Sequence, residues 1–189
     1  MVETRLTARS ALAGLSAPSI LGIVLRELSL ATLLDLRLLP EDAAARGAAE
    51  TLLGCPLPAV NRCSEGEGRA VLWLGPDAFL VIGAEGDEAR LAAALAPHRA
   101  AVTDVSDGRA MLELAGKSAR NLLAKGCPLD LHPHLFRPGD CAQSHFGKAR
   151  ILLRQRDESP RYELFVERSY ADYLWRFLLD GAEEFRDTR

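Results

Sequence analysis

The chain has 189 residues, 48% of them hydrophobic and 26% charged, with a formal net charge of -3 at pH 7. That balance fits a soluble globular protein of one ordinary domain or two small fused halves, with apolar residues enough for a core without staples. Arginines are interspersed with acids rather than concentrated on one stripe, which disfavours nucleic acid as a partner, because phosphate neutralisation needs a focused positive face.

The first 27 residues are rich in Ala, Ser, Leu and Gly, with Pro18 and Gly22 as breakers. Their periodicity is weak, so residues 1–27 read as an arm lying on a neighbour or on the domain itself. The apolar run at 20–25 is closed by Arg26 and Glu27, far short of the roughly 20 residues of a membrane-spanning helix. Glu3 and Arg9 interrupt the leader and no cleavage box follows, so neither a membrane partner nor a signal peptide is expected. The four cysteines show no C-x-x-C spacing and read as reduced thiols of a cytoplasmic protein.

Residues 28–39 read as a mostly buried strand stopped by Pro40. Pro40-Glu41-Asp42 opens a helix whose apolar stripe is Ala45, Ala48, Ala49, Leu52 and Leu53, ended by Gly54. Residues 55–69 read as a loop. Residues 70–74 and 79–83 form a hairpin about Gly75-Pro76-Asp77, a helix runs from Asp87 to the stop at Pro97, and residues 101–105 are the next strand. The order is β-α-β-β-α-β.

The pattern then restarts. Residues 109–114 alternate, with Ala110, Leu112 and Leu114 on one face and Arg109, Met111 and Glu113 on the other. A short helix at 117–125 leads into a long loop dense in Cys, His and Pro. Strands at about 149–154 and 162–166 follow, and then a helix capped by Ser169 with Tyr170, Tyr173, Leu174, Phe177 and Leu178 on one stripe. This half reads β-α-β-β-α. The expected fold class is α+β: two tandem ferredoxin-like split β-α-β halves, about 28–105 and 109–189, packed as a single domain over 28–189.

Candidate chemistry concentrates between Cys127 and His145. Cys127, His132, His134, Cys141 and His145 lie within 19 positions. Zinc needs four converging ligands in closely spaced pairs; His132 and His134 make one pair and the cysteines make no second. Cys127 follows the C-terminal end of a helix, the wrong pole to stabilise a thiolate, although Lys125 is near in sequence. Asp104, Asp107 and Arg109 read as turn capping, and Trp73 and Trp175 as core or interface positions. Gly75-Pro76-Asp77 and Gly116-Lys117-Ser118 lack the glycine spacing of a phosphate loop. The residues therefore give no catalytic, cofactor-binding or metal-binding assignment.

Four stretches together resemble the gamma subunit of heterotetrameric sarcosine oxidase: Trp73-Leu74-Gly75-Pro76-Asp77, Asp104-Val105-Ser106-Asp107-Gly108-Arg109, Lys125-Gly126-Cys127-Pro128-Leu129-Asp130-Leu131 and Glu167-Arg168-Ser169-Tyr170-Ala171-Asp172-Tyr173-Leu174. The resemblance covers about residues 70–185 and is weak in the N-terminal third. It implies a fold like the folate-binding domain of the glycine-cleavage aminomethyltransferase. It further implies an accessory chain without a cofactor of its own, in a complex with alpha, beta and delta subunits. In such a complex alpha and beta hold FAD, FMN, NAD and tetrahydrofolate, and delta holds zinc. The assembly oxidises sarcosine to glycine, with hydrogen peroxide and either formaldehyde or methylenetetrahydrofolate as products. Lys125-Gly126-Cys127 also resembles the start of a motif in stand-alone folate-binding proteins of iron–sulfur cluster repair. Pro128-Leu129-Asp130-Leu131 departs from that motif, so no role passes to Cys127. The alternative expectation is a stand-alone folate-binding module or folate-dependent enzyme of the aminomethyltransferase superfamily.

Overall fold

The structure, a computed structural model, describes residues 9–16, 22–28 and 31–185. Pro18 and the other parts of the arm at 1–8 and 17–21 lie outside the described residues. In chain order the elements are β1 (Val24–Glu27), β2 (Thr32–Leu38), α1 (Ala43–Leu53), β3 (Cys63–Gly66), β4 (Arg69–Gly75), β5 (Ala78–Gly83), α2 (Asp87–Leu95) and β6 (Ala100–Asp104). The second half holds β7 (Arg109–Ala115), α3 (Ala119–Ala124), β8 (Cys141–Phe146), β9 (Ala149–Asp157), β10 (Arg161–Glu167) and α4 (Ala171–Ala182).

Two five-stranded antiparallel sheets result, ordered β3-β4-β5-β2-β6 and β1-β7-β10-β9-β8. Read from the outer hairpin strand inward, β3-β4-β5-β2 corresponds to β8-β9-β10-β7. The last place differs. The first half fills it with its own final strand, β6, and the second half fills it with β1 from the opposite end of the chain. Residues 24–27, which read as part of an arm, are thus an edge strand paired with β7, Leu25 opposite Leu114. Ile23, Leu25 and Leu12 pack into the second half's core.

Side-chain alternation assigns the layers. Leu34, Leu36, Val71, Phe79 and Val81 face α1 and α2, while Leu112, Leu114, Leu153, Tyr162 and Leu164 face α3 and α4. The opposite faces meet, with Leu33, Leu72 and Leu80 from one sheet against Met111, Leu152 and Phe165 from the other. Fully buried side chains of this kind contribute about 1.5–3 kcal/mol each. The layers therefore run helices, sheet, sheet, helices, and the α+β architecture of two ferredoxin-like halves stands.

Local chemistry shifts several boundaries. The first helix starts at Ala43, not at Pro40, because Asp42 is its N-cap and accepts a hydrogen bond from Ala45 N at 2.9 Å. It ends at Gly54 in the left-handed conformation, φ 68°. Ser169 does not cap α4; it lies in a 3-10 turn (Arg168–Tyr170), and the helix begins at Ala171 without a side-chain cap. Trp175, rather than Tyr170, completes the buried stripe of α4. The segments read as loops at 55–69 and in the Cys/His/Pro stretch contain β3 and β8. Both are edge hairpin strands whose sequences, CSEG and CAQSHF, carry too little apolar alternation to stand out.

Candidate functional site

The feature that joins the halves is a near-two-fold crossing of the segments that lead into β3 and β8. Arg62 and Asp140 form an isolated antiparallel bridge and their side chains an ion pair. On either side, Cys63 N donates to Gly139 O at 2.8 Å and Cys141 N donates to Asn61 O at 3.0 Å. Trp73 N donates to Arg62 O and Gln155 N to Asp140 O, both at 3.1 Å. These reciprocal bonds fix the correspondence of the halves: Arg62 with Asp140, Cys63 with Cys141, Trp73 with Gln155. Register carries it outward, since Cys63 lies opposite Leu72 on β4 and Cys141 opposite Arg154 on β9. Glu65 therefore corresponds to Gln143, Leu72 to Arg154, and Leu74 to Arg156.

A cleft flanks the crossing on each side. The first, about 430 Å³, is lined by Glu65, Gly68, Arg69, Ala70, Arg154 and Arg156 among others. Its charges are closed on one another: Glu65 Oε1 accepts from Arg154 at 3.0 Å and from Arg156 at 2.9 Å, and Arg154 donates to Glu163 at 2.6 Å. Arg69 turns away to Asp87, with two bonds of 2.7 and 2.8 Å. The second cleft, about 210 Å³, is lined by Leu74, Arg109, Gln143, Arg150, Phe165 and Glu167 among others. Gln143 Nε2 donates to Leu74 O at 2.7 Å, which fixes the amide across the junction.

The candidates singled out in sequence do not converge. Cys127 is buried in the core on the helix side of the second half, its thiol donating to Ser144 Oγ at 3.7 Å. Cys141 lies in the apolar layer between the sheets, where burial, with Cys63 nearby, pushes its thiol up to about 12. His132 and His134 stack on each other, centroids 5.1 Å apart, in an exposed loop. His145 is exposed on β8 opposite Arg150. Among the described residues no group of three or more His, Cys, Asp and Glu side chains could hold a metal ion. Lys125 reaches Gly181 O and Glu184 rather than Cys127. Asp104 accepts from Ser106 N and Oγ, a turn cap, while Asp107 lies exposed in the same 3-10 turn. Trp175 is core and Trp73 packs at the edge of two clusters. Sequence reasoning did not single out Glu65, Gln143, Arg150, Arg154 and Arg156, because their hydrogen bonds across the junction join residues 69 or more positions apart.

A family model described as the sarcosine oxidase, gamma subunit family matches residues 40–184. The chain belongs to this family. It is 36% identical over 166 residues to the sarcosine oxidase subunit gamma of Corynebacterium sp. (strain P-1), an alignment covering 86% of this chain and 81% of that one. It is likewise 36% identical over 167 residues to the subunit gamma of Arthrobacter sp., covering 87% and 82%. Among solved structures it is similar to a chain of the heterotetrameric sarcosine oxidase from Corynebacterium sp. U-96 in complex with pyrrole 2-carboxylate, with TM-score 0.88, 29% identity and coverage of 96% and 98%. Aminomethyltransferase T of the glycine cleavage system from Bartonella henselae shares the fold, with TM-score 0.61 at 14% identity over 84% of this chain and 45% of that one. The gamma-subunit expectation therefore holds, and with it membership of a multi-subunit oxidase. Among the described residues no helix is long and apolar enough to cross a membrane.

Proposed function

We propose that this chain is the accessory gamma subunit of a cytoplasmic heterotetrameric sarcosine oxidase and acts by binding alpha, beta and delta subunits. It contributes no catalytic, cofactor-binding or metal-binding residue. FAD, FMN, NAD, tetrahydrofolate and zinc belong to the partner subunits, and the assembly converts sarcosine to glycine, with hydrogen peroxide and formaldehyde or methylenetetrahydrofolate as products. The observation that carries this reading is the near full-length match, 96% of this chain on 98% of a chain from a heterotetrameric oxidase. Its two halves work as one rigid block, since apolar residues of both sheets share one cluster and ion pairs cross the junction.

The test is co-expression with the large flavoprotein subunits and mass measurement of what co-purifies. A stoichiometric complex is expected. A chain that remains monomeric beside the large subunits, or that alone binds tetrahydrofolate at micromolar concentration, would sink the reading and favour a stand-alone folate-binding module.

A further inference from the structure

The two clefts beside the crossing are structural counterparts, yet they treat charge differently. In the first, a carboxylate from one half, Glu65, enters between Arg154 and Arg156 of the other half. In the second, neutral Gln143 stands where Glu65 stands and Leu74 where Arg156 stands. The cations of this second cleft come instead from its rim, Arg109 on β7 and Arg150 on β9, flanking Glu167 on β10. Neither guanidinium has a hydrogen-bond or ion-pair partner among the described residues, and exposed Glu167 pairs with neither. Two cations face one carboxylate above an apolar floor of Leu74, Leu152 and Phe165. Low-dielectric walls focus such a potential and raise the attraction for an anion.

We infer that this cleft receives an acidic side chain of a neighbouring subunit, which supplies the carboxylate that the chain supplies to its own first cleft through Glu65. The inference rests on the accessory-subunit reading and names one of its contact points. At about 210 Å³ the cleft is smaller than the usual small-ligand pocket, about 300–1,000 Å³, but ample for one Asp or Glu side chain. A side chain carried on a docked subunit arrives without the separate association cost of a free acid. Fork-shaped guanidinium groups suit carboxylate recognition.

The experiment uses the co-expressed complex and reads dissociation of this chain against sodium chloride concentration. Arg109→Gln with Arg150→Gln is expected to weaken association roughly 30-fold at low salt and to flatten its salt dependence, as for truncation of a desolvated charge pair. Gln143→Glu is the second variant. It places a carboxylate in the cleft from within, at the cost of the hydrogen bond to Leu74 O, so it is expected to weaken association as well, and circular dichroism of the isolated chain checks that the fold survives the lost bond. If both variants fold and bind the complex with wild-type affinity and salt slope, the inference is overturned while the subunit reading stands. Failure of the wild-type chain to co-purify overturns both. Saturable binding of acetate to the isolated chain, lost in the double variant while association is unchanged, overturns the choice of a subunit side chain.

Discussion

Glu65 on the edge strand of the first half reaches across the junction to Arg154 of the second, 3.0 Å from Oε1 to Nη1. Arg154 is 3% exposed and its Nε also serves Glu163, which is 7% exposed, so the guanidinium is the hinge of a buried network. Without Arg154, buried Glu163 loses its 2.6 Å partner and keeps only Arg156, at 3.6 Å. Arg154→Ala is therefore expected to cost about 3 kcal/mol. Arg154→Met combined with Glu163→Leu should recover most of that loss, since apolar replacement of a whole buried pair is often neutral. Urea unfolding followed by tryptophan fluorescence distinguishes the two, and equal midpoints for wild type and Arg154→Ala would contradict the network's role.

β1 provides a second test, because its two faces predict opposite outcomes. Leu25 is 7% exposed in the second half's core, whereas Val24 is 51% exposed on the edge strand. Leu25→Ala should destabilise the whole protein by about 3 kcal/mol. Val24→Ala should change stability by no more than about 0.5 kcal/mol. Equal, small effects would mean that β1 is a loosely attached arm rather than the completing strand of the sheet.

That strand also marks the limit of what the chain discloses by inspection. In the first half β2, β4, β5 and β6 were legible because they are largely apolar and bounded by Pro, Gly or Asp, whereas the polar edge strand β3 was not. The faces of β7 were legible for the same reason. The sixth position of the second half was not, since its strand lies more than 80 residues away from β7 and four residues, VLRE, carry no periodic signal of their own. The two clefts were hidden by a similar cause. Glu65, Gln143 and Arg150 look like solvated surface charges or amides until the Arg62–Asp140 bridge fixes which half meets which. Cys127 and the histidines drew notice because such residues are rare and reactive, but packing separates them.

Asp87 predicts the acid limb of stability. It is fully buried at the start of α2, held by two bonds from Arg69 and by Ala84 N at 2.8 Å. The Arg69 hydrogen bonds, against the opposing effect of burial, hold its carboxyl below the usual range. Glu113 is also lowered: burial works upward, but hydrogen bonds from Arg26 and Arg161 outweigh it. A carboxylate depressed in the folded state stabilises the protein above its unfolded value, about 3.9 for Asp, and that contribution is lost as pH falls through the lower folded value. Stability should therefore hold from neutral pH down to about 4 and drop below it. Asp87→Asn should cost about 3 kcal/mol at pH 7, because Arg69 is left with only the distant carboxylate of Glu67, 4.0 Å away, and the gap to wild type should narrow in acid. Thermal melts from pH 7 to pH 3 provide the measurement, and a gap that widens on acidification would reverse the assigned sign.

Thiol reactivity reports whether the sheets stay packed. Burial raises the thiols of Cys55 and Cys63, and Cys141 is pushed up to about 12 in the layer between the sheets. The thiolate is the nucleophile, so at pH 8 the folded chain should leave Cys141 essentially unmodified by iodoacetamide. Cys141 also donates to Arg62 O at 3.1 Å, a bond made only while the two halves remain in register at the crossing. Its modification should then track opening of the junction: negligible in native buffer, and rising together with global unfolding when urea is added. Peptide mass mapping after timed labelling gives the rate at each cysteine. Rapid native labelling at Cys141 would mean that the halves separate readily, and the rigid block required for an accessory subunit would not exist.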